Sequence, residues 1–120
     1  MSAELELHVQ SGTFVPGDTI EATVRVAEGG RARTLEAWLE YYEETDDLGG
    51  VASSISSGTL HEGDLVTGMT FNFALTLPAD ALPNYKSENG ELYWEVHVRS
   101  DELGFDTHVR KRVLVRGVET

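Results

Sequence analysis

The stretch Phe14–Val26, FVPGDTIEATVRV, decides the fold. Pro16-Gly17 has the chemistry of a tight turn, because proline presets φ at the first central position and glycine accepts φ > 0 at the second. Asp18 and Thr19 lead out of that turn into Ile20, Ala22, Val24 and Val26, an apolar set at period 2. Strict alternation marks a strand with one buried face. An aromatic, a Pro-Gly turn and an alternating strand form one device that aims the strand into a core.

Outward from this stretch the same period recurs. Before it, Leu5, Leu7 and Val9 alternate with Glu4, Glu6 and His8. After it, Glu28-Gly29-Gly30-Arg31 reads as a hairpin tip, since paired glycines suit the positive φ of tight hairpin turns. A strand from Arg33 to about Glu44 follows, with Leu35, Ala37, Leu39 and Tyr41 on one face and Glu36, Trp38, Glu40 and Tyr42 on the other. Helical spacing of Leu35, Leu39 and Tyr42 competes with that reading, but the aromatics and the preceding Gly-Gly favour a strand. Thr45–Ser57 reads as a loop of Gly, Ser and Asp with at most a short edge strand over Val51–Ile55. Leu60–Asp64 turns the chain into Met69–Leu77, where Phe71, Phe73, Leu75 and Leu77 share a face and Pro78 ends the ladder.

Pro78–Gly90 reads as a crossing segment with a turn at Asn89-Gly90. Leu92, Trp94, Val96 and Val98 then alternate, and Val109, Val113 and Val115 point inward from the last strand. The expected core includes Phe71, Phe73, Leu75, Leu92, Trp94 and Val96. About seven short strands punctuated by turns predict an all-β, immunoglobulin-like antiparallel sandwich. With no repeat and no linker, residues 1–120 read as one domain.

Composition narrows the function. Twenty-one acidic against nine basic residues give a formal charge of -12 and a pI near 4.5. A field of that sign opposes attraction to nucleic acid or anionic lipid, so neither is an expected partner. Lysine occurs only at Lys86 and Lys111, which fits a salt-rich cytoplasm and a high-GC codon bias equally well. The absence of cysteine excludes disulfides and thiolate metal sites and suits a reducing compartment. The first residues show no basic or apolar leader, and no run is long enough to span a membrane. The expectation is a soluble, cytoplasmic protein.

Three further stretches carry a family resemblance. Phe71-Asn72-Phe73, Leu77-Pro78 and Pro83-Asn84-Tyr85 follow one another in order; Leu92, Trp94 and Val96 alternate; and Val109, Lys111, Val113 and Val115 follow Asp106. With the Pro-Gly-Asp opening and the Arg33–Tyr41 strand, these resemble the arrestin-like domain family, the bacterial and archaeal sporulation-control type in style. The resemblance covers Phe14 to Val115 and implies a scaffold sandwich that docks proteins through strand edges and loops. Family members usually carry two sandwiches, and this chain has room for one. Neither a Pro-Pro-x-Tyr tail nor a clathrin-binding tail is present. The family's phosphate-sensing lysine pair falls near Arg110-Lys111-Arg112, a basic run of different composition.

Catalytic patterns are missing: no G-x-S-x-G, H-E-x-x-H, P-loop or dinucleotide fingerprint occurs, so the chain reads as non-enzymatic and without cofactor. The Glu43–Asp47 acidic run lacks the alternating ligands and central glycine of a calcium loop. His97 and His108 would supply two imidazoles, short of a metal site without a third ligand. Trp38, Tyr42 and Tyr93 lie opposite the apolar faces of their strands. Together with Arg110 and Arg112 they form the expected partner-binding set, since aromatics and arginine dominate interface hot spots; Pro16, Gly17 and Asp18 form the structural turn. Partner identity stays open, and self-association through a sheet edge or this aromatic face is the natural extension. The other functional reading is a sandwich that carries a small molecule or an ion.

The last two strands should form an antiparallel hairpin, and three registers keep their valines on one face. Charge favours the register with Arg99 opposite Asp106, Glu95 opposite Arg110, Tyr93 opposite Arg112 and His97 opposite His108.

Overall fold

A computed structural model describes residues 3–45, 49–104 and 106–117. Among these the chain forms nine strands: β1 (Glu4–Val9), β2 (Thr13–Phe14), β3 (Thr19–Glu28), β4 (Thr34–Thr45), β5 (Gly49–Glu62), β6 (Thr70–Thr76), β7 (Tyr85–Ser87), β8 (Gly90–Asp101) and β9 (Asp106–Val115). The count exceeds the expected seven because β2 and β7 are fragments of two and three residues. A three-stranded sheet in the order β1-β3-β6 packs on a larger sheet in the order β2-β9-β8-β4-β5, with β7 beside β8. The fold is an all-β sandwich.

The alternation read from the sequence builds its core. Ile20, Val24 and Val26 of β3 face Leu35, Ala37 and Leu39 of β4 and Val96 and Val98 of β8, all fully buried. Phe73, Leu75 and Trp94 join them, whereas Phe71 and Leu92 are half-buried at the core's margin. The turn that opens β3 closes through Asp18 N–H to the Val15 carbonyl at 3.0 Å, with Gly17 at φ +89°. The Asp18 carboxylate accepts the Val15 N–H at 2.9 Å, and Gly17 N–H reaches the Pro78 carbonyl, so the turn is tied to the end of β6.

Gly29-Gly30 is not a hairpin tip. β3 and β4 belong to different sheets, and the glycines carry the chain from one layer to the other. There Gly30 exchanges two backbone hydrogen bonds with Leu65. A Cβ on Gly29 would lie 2.5 Å from the Leu65 carbonyl oxygen, so glycine is required by close approach of backbones rather than by positive φ.

The expected loop before Ser57 is a strand. β5 runs fourteen residues along β4, although Asp46, Asp47 and Leu48 lie outside the described residues. A Gly/Ser composition misled here because ladder bonds need only backbone, and β4 supplies the template. The register shifts three times, leaving Ala52, Ser57 and Leu60 as extra residues on β5. Likewise Pro78–Gly90, read as a plain crossing segment, contains β7, which turns back onto β8 with Ser87 opposite Gly90.

The charge-favoured register of the last hairpin is also corrected. Glu95 stands opposite Arg112, His97 opposite Arg110 and Arg99 opposite His108. The expected register would have closed on Glu102-Leu103 as a two-residue turn, and such turns demand φ > 0. Slipping by two leaves Asp101 opposite Asp106 and a longer loop, in which Gly104 supplies the positive φ (+91°). Turn geometry outweighed charge pairs of a few tenths of a kcal/mol each.

Candidate functional site

Strand β8 lies mid-sheet, between β4 and β9, and its outward side chains are covered by those of its neighbours. Tyr93 and Glu95 are each 8% exposed and His97 4%, on the face that strand alternation assigns to solvent. Cross-strand packing explains this: Trp38 is opposite His97, Glu40 opposite Glu95 and Tyr42 opposite Tyr93.

The centre of this face is His97. The Trp38 ring stacks on its imidazole at 5.2 Å and 11°, and Trp38 Nε1–H donates to Glu40 Oε1 at 2.6 Å. His97 Nε2 lies 2.9 Å from Glu95 Oε1 and 3.1 Å from Glu40 Oε2, both off the N–H direction, so it has close carboxylates but no aligned hydrogen bond. Its Nδ1 is 2.7 Å from His108 Nε2. One proton must lie between those two nitrogens. The separation is also too short for a tetrahedral zinc bonded to both, since two bonds of about 2 Å at the tetrahedral angle hold their nitrogens about 3.3 Å apart. Among the described residues no group of three His, Asp or Glu side chains is placed to hold a metal ion. His108 is pushed below the ordinary histidine pKa by desolvation, then by His97 and Arg110, with Glu40 opposing and Arg99 adding a little.

Three pairs expected directly across the ladder survive as diagonals. Arg99 Nη1 is 3.7 Å from Asp106 Oδ2, His97 meets His108, and the Arg112 guanidinium lies 3.7 Å from the Tyr93 ring centroid. Sheet twist brings one set of diagonal neighbours together. Arg112 also binds Glu91 at 2.9 Å, and Arg99 binds Glu36 at 3.2 Å while lying over Trp38. Burial raises the Tyr93 pKa, Glu95 adds to this, and Arg112 opposes it.

A shallow trough results. Glu40 and Glu44 of β4 form an acidic rim, Arg110 and Arg112 of β9 a basic rim, and Tyr93, Glu95 and His97 of β8 the floor. Of the expected partner-binding set, Tyr42, Tyr93, Arg110 and Arg112 line this trough, and Trp38 stands at its end against His97. Trp38 and Tyr42 are half-buried, and Tyr93 is buried beneath Tyr42 and Arg112. Arg110 has no carboxylate within 4 Å among the described residues. Glu40, the residue linking Trp38 to His97, was missed. Its signal was its place between Trp38 and Tyr42 on the outward face, but only the β4–β8 register reveals its partners. Pro16, Gly17 and Asp18 lie in the turn before β3, apart from the trough.

Among solved structures, the chain is similar to Spo0M, a sporulation control protein from Bacillus subtilis, at 20% identity and a TM-score of 0.65. The match covers 96% of this chain and 49% of that one, so the chain spans about half of that protein's length. It is also similar to the C-terminal domain of wzt, at 12% identity and a TM-score of 0.54, covering 99% of this chain and 75% of that domain. No family model matches the chain, and no curated protein does. Among the described residues no helix is long and apolar enough to cross a membrane. The fold is the arrestin-like sandwich.

Proposed function

We propose that the chain is a non-enzymatic protein-interaction module that receives its partner in the trough across β4, β8 and β9, within the cytoplasm. One observation carries this reading: an acidic rim and a basic rim face each other across an ordered, aromatic-containing floor. Rims of opposite charge fix the orientation of a partner bearing the complementary rows, and flanking aromatics supply the desolvated anchors. Arg110 offers a partner the less committed cation of the basic rim, whereas Arg112 is already engaged by Glu91 and Tyr93. Similarity to half of a sporulation control protein is in keeping with a regulatory scaffold.

Small-ligand carriers hold their cargo in enclosed, mostly apolar clefts. This trough is open and polar, which favours a protein partner over a carried molecule. The test is affinity capture with three baits: the native chain, Trp38→Ala and Arg110→Glu, with Thr23→Lys on the opposite sheet as control. The expected outcome is a stoichiometric protein retained by the native chain and the control. Trp38→Ala and Arg110→Glu should each weaken it by about 2 kcal/mol or more. Equal retention by all four baits would overturn the trough as the site.

A further inference from the structure

The sandwich has several open strand edges, and natural sheets guard such edges with charge, proline, bulges or brevity. Three are visibly guarded. β1 carries Glu4 and Glu6, has a register shift between Glu4 and Leu5, and lies against β9. β5 is bulged at three places. β2 is two residues long.

Strand β6, TFNFALT, has no charge, proline or bulge of its own; like β1 against β9 it lies against a strand of the other sheet, β5, where the His61 ring meets that of Phe71. β6 pairs with β3 over all seven residues without a register shift. From Leu65 to Ala79 the sequence contains no charged residue, in a chain of net charge -12. Its bonding parity can be read from the ends of the pair: Val26 N–H donates to the Met69 carbonyl and Leu77 N–H to that of Asp18. Antiparallel ladders alternate bonded and non-bonded pairs. Phe71, Phe73 and Leu75 therefore point their backbone groups at β3. The N–H and C=O groups of Thr70, Asn72, Ala74 and Thr76 point away from the sheet.

We infer that this edge pairs with the β6 edge of a second copy of the chain, antiparallel and about a two-fold axis at Phe73. This surface is separate from the trough. In that register Asn72 meets Ala74 of the other copy and Thr70 meets its Thr76, so the four residues with free ladder groups bond one another. Phe73 meets Phe73 as the non-bonded pair, and Phe71 meets Leu75. Polarity is self-complementary: the apolar set falls on the apolar face, and the uncharged polar set on the solvent face. Phe71, half-buried in one copy, gains cover from the other. Two bodies of like charge approach best along a neutral strip, so the pairing should tighten as salt screens the rest of their surfaces. A seven-residue edge is a small interface and sets a weak, concentration-dependent dimer.

Sedimentation equilibrium of the full chain tests this. The expected mass rises with concentration toward twice 13.2 kDa, and Kd falls as sodium chloride is raised. Ala74→Lys places a charged guard on the exposed edge and should raise Kd by about tenfold or more while Tm holds. Ser54→Lys on β5 should leave Kd unchanged. Because the chain lacks cysteine, Ala74→Cys with a short thiol cross-linker gives an independent readout and should join two copies where Glu6→Cys does not. A chain monomeric at every concentration, a dimer indifferent to Ala74→Lys, or equal cross-linking of the Glu6→Cys and Ala74→Cys variants would each overturn the proposal.

Discussion

Trp94 and Trp38 stand on neighbouring strands of one sheet and face opposite ways. Trp94 points into the sandwich, 2% exposed, with its indole N–H on the Leu82 carbonyl at 2.7 Å and its ring 4.7 Å from that of Tyr41. Trp38 points out, half-buried, with its N–H on Glu40 and its ring on His97. Each ring packs against another ring, stacked for Trp38 and tilted for Trp94, and each N–H is bonded. What differs is the medium: hydrocarbon around the first, carboxylates, imidazoles and a guanidinium around the second. Apolar burial gives the inner face its stability, whereas the outer face is held by mutual satisfaction of polar groups, which contributes little net energy but fixes positions.

The widest separation expected between the two faces comes from truncating both rings. Trp94→Ala should cost about 3–5 kcal/mol, through lost burial and the cavity left behind. Trp38→Ala should cost about 1 kcal/mol, the value of an aromatic contact at a partly solvated site. Urea unfolding of both variants measures the gap, and comparable losses would mean that the outer face is a second core. A smaller effect tests the polar character directly. His108 is held below its ordinary pKa, so the folded state resists protonation that the unfolded chain accepts. This contribution is complete above about pH 6.5 and is lost as pH falls through the lowered folded value. Acid also relieves the chain's net negative charge, so the quantity to measure is the difference in Tm between the native protein and His108→Asn. That difference should favour the native chain at neutral pH and shrink below about pH 6.5; a gap constant with pH would count against the effect.

The sequence declared the inner face openly. Period-2 alternation at Ile20–Val26 and Leu35–Tyr41 is a direct image of burial, and the sandwich follows from it; in β8 alternation marked the inward residues, but Trp94–Val98 is buried on both faces. The arrestin-like resemblance drew on these strands together with the Pro-Gly-Asp opening, the Phe71–Tyr85 run and the last strand. The outer site was legible only in part. Which residues face outward could be read, and Tyr42, Tyr93, Arg110 and Arg112 do converge. How they pair could not be read, because β4 and β8 are distant in sequence and nothing local announces that Glu40 lies beside His97. The hairpin register failed for a different reason: charge pairs were weighed, but the φ demand of a two-residue turn at Glu102-Leu103 was not. Gly29 misled because glycine serves both positive φ and close approach, and only the neighbouring Leu65 backbone tells the two apart.

The pairing of β2 with β9 has a consequence for how the molecule is made. Thr13 and Phe14 lie beside Leu114 and Val115, so two segments far apart in sequence complete one another. The central strand β8 likewise lacks one neighbour until β9 is in place. Contacts of such long sequence separation form late and slow folding. During synthesis the large sheet cannot close until Val115 has left the ribosome. Until then Phe14 lacks its β9 partner, and β8 keeps one edge and part of its apolar face uncovered.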